Sequence, residues 1–201
     1  MRVTVIDYKA GNLTSVLKTL HHLGAETVVT DGDLSLVESA ERIVLPGVGH
    51  FSATERLDAT GLTGAIRAAI GRGVPFLGIC VGMQWLYAGS TEAPQQRGLG
   101  EFSGTCTRFS ESKEKVPHVG WNSLEARNGS RLLKDVDPGE FVYFTHAYKG
   151  PVTSDTAAVT RYIEPFASAV ERANVMGVQF HPEKSGETGL KILRNFLEIA
   201  C

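Results

Sequence analysis

The first half of the chain alternates short β-branched runs with stretches of helical period, and that alternation restricts it to a sheet covered by helices. Arg2–Asp7 reads as a buried strand, followed by Leu13, Val16, Leu17 and Leu20 at helical spacing. Glu26–Thr30 and Arg42–Leu45 are the next strand candidates. Leu62–Arg72 reads as a helix stopped by Gly73 with Pro75 beyond it. Val74–Ile79 is a further apolar run, and Met83–Ala88 continues as helix. Strand and helix in turn imply βαβ units and a mostly parallel sheet.

The second half has a different rhythm. Gly104–Phe109, Phe141–Tyr148, Ala157–Tyr162, Phe166–Glu171 and Val175–Phe180 are strand-like with little helix between them, which suggests an antiparallel extension. The closing segment places Leu190, Leu193, Leu197 and Ala200 on one helical face. Ser90–Gly100 is a polar, Gly/Pro-containing loop between the halves. With no repeat or low-complexity segment, the expectation is an α/β fold of three layers forming one domain over residues 1–201.

Bulk properties exclude several function classes. Hydrophobic content of 42%, charged content of 21% and a net charge of −2 are ordinary for a globular chain and suggest no basic surface for nucleic acid. The apolar start is interrupted by Asp7 and Lys9, too early for a signal peptide or a membrane span, so a cytoplasmic location is expected. Cys80, Cys106 and Cys201 form no CxxC pair, so neither a zinc knuckle nor a redox centre is supported. No metal cluster or cofactor motif is visible.

Cys80 stands apart from the other two. Gly78-Ile-Cys80-Val-Gly82 joins an apolar strand to a helix, the thiol form of a nucleophile elbow. Glycines at both flanks permit a tight turn and close chain approach. The turn sets the sulfur at the C-terminal edge of the sheet and at a helix start, where free N–H groups favour thiolate. The plain alternative is a small buried cysteine. Cys106 lies in an apolar strand pattern and Cys201 is the last residue, so both are expected to be inert.

Among six histidines, His181 has the setting of a base. Gly177-Val-Gln-Phe-His181-Pro-Glu183 ends an apolar strand and carries a carboxylate two residues on. In extended chain such residues share a side, so Glu183 is expected to accept from the imidazole and fix its tautomer. Pro182 keeps His181 extended. An isolated H-P-E would be read as a structural histidine beside a surface glutamate; the cysteine elbow changes that reading.

These motifs resemble the class I (triad) glutamine amidotransferases. Further segments, Leu45-Pro-Gly-Val-Gly49, Pro117-His-Val-Gly-Trp-Asn122, Tyr143-Phe-Thr-His146, the opening Asp7-Tyr-Lys-Ala-Gly-Asn12 and the extension of H-P-E to Lys184-Ser185, look like the branch formed by the glutaminase subunits of imidazole glycerol phosphate synthase. Val81, Val119, Thr145 and Ala147 are variants of the usual pattern. The resemblance spans essentially the whole chain. It implies that Cys80 attacks glutamine, that His181 and Glu183 serve it, and that ammonia passes to a (βα)₈-barrel cyclase subunit in a heterodimer.

By the same reading the Val81 amide is one oxyanion donor, and Gly47, Val48 and Gly49 supply the other from a loop that can flip a peptide. A glycine-rich strand exit is the plain alternative. Phosphate binding is disfavoured, because the loop is short and lacks a P-loop lysine. The loop is expected to rest with its amides turned away until partner and substrate bind. Gln84, one helical turn past Cys80, matches a substrate-binding position, and its alternative is a polar helix residue. Tyr143 and Lys184 match positions near the partner, and are otherwise a strand aromatic and a solvated lysine. The glutaminase of another synthase, of the pyridoxal phosphate or anthranilate type, and a non-catalytic regulatory α/β protein are the competing readings.

Overall fold

The computed structural model describes residues 1–10, 13–110, 114–127 and 129–200. Gly11 and Asn12 of the opening motif and the terminal Cys201 lie outside the described residues. In chain order the first half comprises β1 (Arg2–Ile6), α1 (Leu13–His22), β2 (Glu26–Thr30), α2 (Leu34–Glu38), β3 (Ile43–Gly47), α3 (Glu55–Ala59), α4 (Leu62–Gly71), β4 (Phe76–Cys80) and α5 (Val81–Trp85). The second half has β5 (Thr107–Arg108), β6 (His118–Ser123), β7 (Glu125–Ala126), β8 (Phe141–His146), β9 (Tyr148–Lys149), β10 (Thr156–Tyr162), β11 (Glu164–Arg172), β12 (Val175–Val178) and α6 (Gly186–Glu198). Single 3₁₀ turns occupy Phe51–Thr54 and Pro182–Lys184.

The described residues form an eight-stranded sheet in the order β2-β1-β3-β4-β12-β11-β10-β7. β2, β1, β3, β4 and β12 run parallel, and β11, β10 and β7 are antiparallel additions. The expected parallel sheet with an antiparallel extension is therefore the observed one. Strand order reverses beside β1, and right-handed crossovers then put α1 on one face and α2 and α4 on the other. Accordingly α2 packs on α4, while α1 and α6 both meet the 182–184 turn. β3 and β4 are buried throughout, as expected of parallel strands covered on both faces.

Several local expectations change. The helix after Cys80 begins at Val81 and ends at Trp85 rather than running Met83–Ala88. The carbonyls of Trp85, Leu86, Tyr87 and Ala88 are taken by amides of Leu99, Phe102, Gly100 and Gly98, so the following loop ends the helix. Only Thr107–Arg108 of Gly104–Phe109 is strand, and β12 stops at Val178 rather than Phe180. α6 ends at Glu198 and buries Gly189, Ile192, Leu193, Phe196 and Leu197, leaving Ala200 exposed. A Cβ on Gly189 would collide with the Pro182 carbonyl, so this face is set by a close approach that leaves no hydrophobic mark in the sequence. Finally, β6 pairs with β8 as a separate antiparallel ribbon.

Candidate active site

Cys80 closes β4, in register with Gly47 of β3, and β12 lies on its other side. Its backbone sits at φ 54°, ψ −106°, a conformation that a non-glycine residue holds at a cost of roughly 1–3 kcal/mol. The flanking glycines explain how the turn is accommodated. A Cβ on Gly82 would collide with the Leu45 carbonyl, and one on Gly78 with the backbone of Gly82. The elbow is thus packed closely against β3, with the Gly82 backbone against the Leu45 carbonyl. Cys80 is 3% exposed, and its thiol faces the Thr145 carbonyl at 4.0 Å and accepts from Gln179 Nε2 at 3.6 Å.

His181 and Glu183 follow the end of β12. The link is a 3₁₀ turn rather than the expected extended chain, with only His181 itself extended. The turn still closes the pair: His181 Nδ1 lies 2.9 Å from Glu183 Oε1, and both side chains are almost fully buried. The backbone of His181 is fixed on both sides. Its amide donates to the Tyr143 carbonyl at 2.9 Å, and its own carbonyl accepts from Ser185 Oγ at 2.6 Å. Nε2 of His181 makes no hydrogen bond among the described residues. Burial opposes the imidazolium, but Cys80 and Glu183 outweigh it and raise the His181 pKa to about 10. An imidazole with a carboxylate on one nitrogen and a free second nitrogen coupled to a thiol can exchange protons with that thiol and with a substrate bound to it.

The glycine-rich loop lies beside Cys80, at the end of the strand across β4 from β12, with its Val48 donor engaged. Val48 N–H donates to the Ala10 carbonyl at 3.2 Å, so it is not free for an oxyanion. Gly47 has no room for a side chain, because a Cβ would strike the Tyr8 hydroxyl. Gly49 has φ 105° and open space around it. Val81 is the first residue of α5, where helix geometry leaves the amide without an intrahelical acceptor. Beyond the loop, Glu92 accepts from the Phe51 amide at 2.8 Å, pinning the next turn.

Gln84 is buried one helical turn past Cys80. Its Nε2 donates to the Tyr148 carbonyl at 3.0 Å and to Gln179 Oε1 at 3.2 Å, while its Oε1 has no partner among the described residues. Gln179, which sequence reasoning passed over, links Gln84 to Cys80. Its signal was a lone amide between Val178 and Phe180 in an apolar run. Tyr148 O also accepts from His146 Nδ1 at 2.9 Å, and His146 Nε2 lies 3.1 Å from His118 Nδ1. Burial holds His118 near pKa 4 and His146 near 3, so both are neutral and buttress the wall. Cys106 is buried, with its thiol pushed far above its ordinary range by that burial.

Tyr143 and Lys184 lie on the rim, the Lys184 Nζ 5.9 Å from the Tyr143 ring centroid. The β6–β8 register assigns His118, Val142, Phe144 and His146 to the buried face of the ribbon. Val119, Trp121 and Phe141 share the other face with Tyr143 and are 58%, 55% and 57% exposed. No metal-binding cluster of His, Cys, Asp or Glu occurs among the described residues. Nor, among them, is any helix long and apolar enough to cross a membrane.

Comparison with known proteins identifies the family. The family model for class-I glutamine amidotransferase matches residues 4–200. The imidazole glycerol phosphate synthase subunit HisH of Methanopyrus kandleri is 45% identical, over 98% of this chain and 98% of that protein. The HisH subunit of Aquifex aeolicus is 43% identical over 98% of this chain and 96% of its own length. The chloroplastic imidazole glycerol phosphate synthase hisHF of Arabidopsis thaliana is 42% identical over 97% of this chain, which spans 34% of that longer protein. Among solved structures, a glutamine amidotransferase superposes with TM-score 0.76 at 20% identity, covering 98% of this chain and 97% of the other. PurLQS from Thermotoga maritima gives 0.74 at 22%, covering 98% and 97%. At those identities the structures speak for the fold alone.

Proposed function

The chain belongs to the class I glutamine amidotransferases as a HisH-type glutaminase subunit of imidazole glycerol phosphate synthase in histidine biosynthesis, and on that premise we propose how its residues carry the reaction. The Cys80 thiolate attacks the side-chain amide carbon of glutamine. His181 gives a proton to the departing ammonia, leaving a γ-glutamyl thioester on Cys80. The imidazole, now neutral, takes a proton from water, which attacks the thioester and releases glutamate. Glu183 holds Nδ1 so that Nε2 faces the reacting atoms. The observation that carries this reading is the buried His181–Glu183 pair, electrostatically coupled to a thiol on a strained strand-to-helix turn. Gln84, with an unpaired buried Oε1, binds the substrate's amino end.

The oxyanion hole uses the Val81 amide and a second amide from Gly47-Val48-Gly49. In the resting arrangement that second donor is spent on Ala10. The Gly47–Val48 peptide therefore turns before catalysis, and occupancy of the partner and its substrate drives the turn. One missing donor of this kind lowers turnover by about 100- to 1,000-fold.

The partner is a (βα)₈-barrel cyclase subunit in a heterodimer, fed with ammonia before solvent can protonate it. The exposed apolar face of the β6–β8 ribbon, continuous with Tyr143 and Lys184, supports this docking side. Residues 1–201 act as one glutaminase domain, and the complex works in the cytoplasm. A glutamine-analogue electrophile tests the assignment. Adduct on Cys80, faster with the cyclase bound, is expected; absence of adduct at saturating reagent contradicts it.

A further inference from the structure

The Tyr8 side chain is 2% exposed, yet its hydroxyl has no hydrogen-bond partner among the described residues. Buried phenols nearly always find one, and a missing partner is unfavourable. The hydroxyl lies against the Cα of Gly47, where a Cβ would collide with it. It therefore touches the residue that carries the carbonyl of the peptide whose Val48 amide donates to Ala10. Tyr8 and Ala10 come from the same β1–α1 segment and line one small hollow together with Pro46. Burial, and secondarily the charge of Cys80, hold the phenol well above its ordinary pKa, so it stays protonated and can donate.

Turning the Gly47–Val48 peptide exchanges what its two ends face. The N–H leaves Ala10 for the thiol, and the Gly47 carbonyl arrives on the side that Ala10 occupies. There it would meet another carbonyl, acceptor against acceptor. The Tyr8 hydroxyl is an unpaired buried donor on that side. We propose that Tyr8 is a positioning residue for the oxyanion hole, its hydroxyl idle in the resting loop and donating to the Gly47 carbonyl once the peptide has turned. This rests on the turning loop proposed above. It supplies the differential interaction that any population shift requires: the unmade bond raises the resting state and is relieved in the active one.

The test is Tyr8→Phe in complex with the cyclase subunit, which keeps the ring and removes the hydroxyl. The cyclase-stimulated kcat for glutamine hydrolysis should fall about 5- to 50-fold, as expected for a lost buried hydrogen bond. KM for glutamine should stay within about twofold, and Tm should equal or exceed that of the unaltered protein. A stimulated kcat equal to that of the unaltered protein overturns the inference. So does a fall in kcat that tracks a fall in Tm, or a variant that does not fold, because the ring is then structural. The unaltered chain is assayed in parallel with and without cyclase. Equal rates would remove the turning loop and Tyr8's role together, whereas normal stimulation with an unaffected variant removes only the role of Tyr8.

Discussion

Replacing Glu183 with glutamine removes one charge while keeping the size of the side chain, and the structure determines how the new amide must sit. Oε1 faces His181 Nδ1 at 2.9 Å, and Oε2 has no partner among the described residues. An amide with its oxygen toward Nδ1 leaves a buried NH₂ unpaired, at roughly 1–3 kcal/mol. The flipped amide donates to Nδ1 instead and forces the proton onto Nε2, the nitrogen that must accept it from Cys80. Loss of the charge-assisted bond alone removes roughly 1.5–3 kcal/mol, about 10- to 150-fold in rate. Tautomer inversion brings the loss toward about 10⁴-fold, as for the equivalent change in the Ser-His-Asp triad. Glu183→Gln is therefore expected to lower the cyclase-stimulated kcat by about 100- to 10⁴-fold.

The same substitution has a pH signature. The His181 pKa is raised to about 10 in the folded chain despite burial, which opposes it, because Cys80 and Glu183 favour the cation. A raised pKa contributes stability that is fully present below about pH 6.5 and lost as pH rises through about 10. In Glu183→Gln the upper limit moves down, though not to that of a free imidazole, since Cys80 still contributes. Glutamate release and Tm are followed from about pH 6 to pH 10 in both proteins. An unchanged kcat with superimposable pH profiles would refute the role given to Glu183.

Gly82→Ala should destabilise by roughly 1–3 kcal/mol or more in urea unfolding, because its Cβ meets the fixed Leu45 carbonyl. Gly49→Ala, strained only by φ 105°, should cost about 1–2 kcal/mol, and the reverse order contradicts the packing argument. Trp121→Ala should weaken cyclase binding by about 30-fold, a hot-spot loss near 2 kcal/mol, with Tm nearly unchanged; unaltered affinity by titration would remove the β6–β8 face from the interface. Thiol labelling followed by peptide mapping should find Cys80 modified and Cys106 protected in the folded protein, as the burial of Cys106 requires; equal labelling of the two would contradict that.

The parts legible in the sequence were those written locally. Parallel strands buried on both faces leave continuous apolar runs, and the elbow needs Gly78 and Gly82 within two residues of Cys80. The Glu183 carboxylate is likewise two residues from its histidine, so the pair was readable although the turn that closes it was not. What escaped depends on partners distant in sequence. β6 is a strand only through its pairing with β8, and its apolar Val119 and Trp121 face outward while the polar His118 is buried. α5 stops because amides from residues 98–102 claim its last carbonyls. Gln179 and Tyr8 take their meaning from Cys80 and Gly47, to which no pattern in their own segments refers.

The nucleophilic role of Cys80 is tested most directly by glutamate release from Cys80→Ala in the presence of the cyclase subunit, measured beside the unaltered protein. That role predicts release at background in the variant, with normal cyclase binding, and a γ-glutamyl adduct on Cys80 in acid-quenched unaltered protein. Glutamate release by the variant at the unaltered rate would contradict it, whatever the rest of the site does.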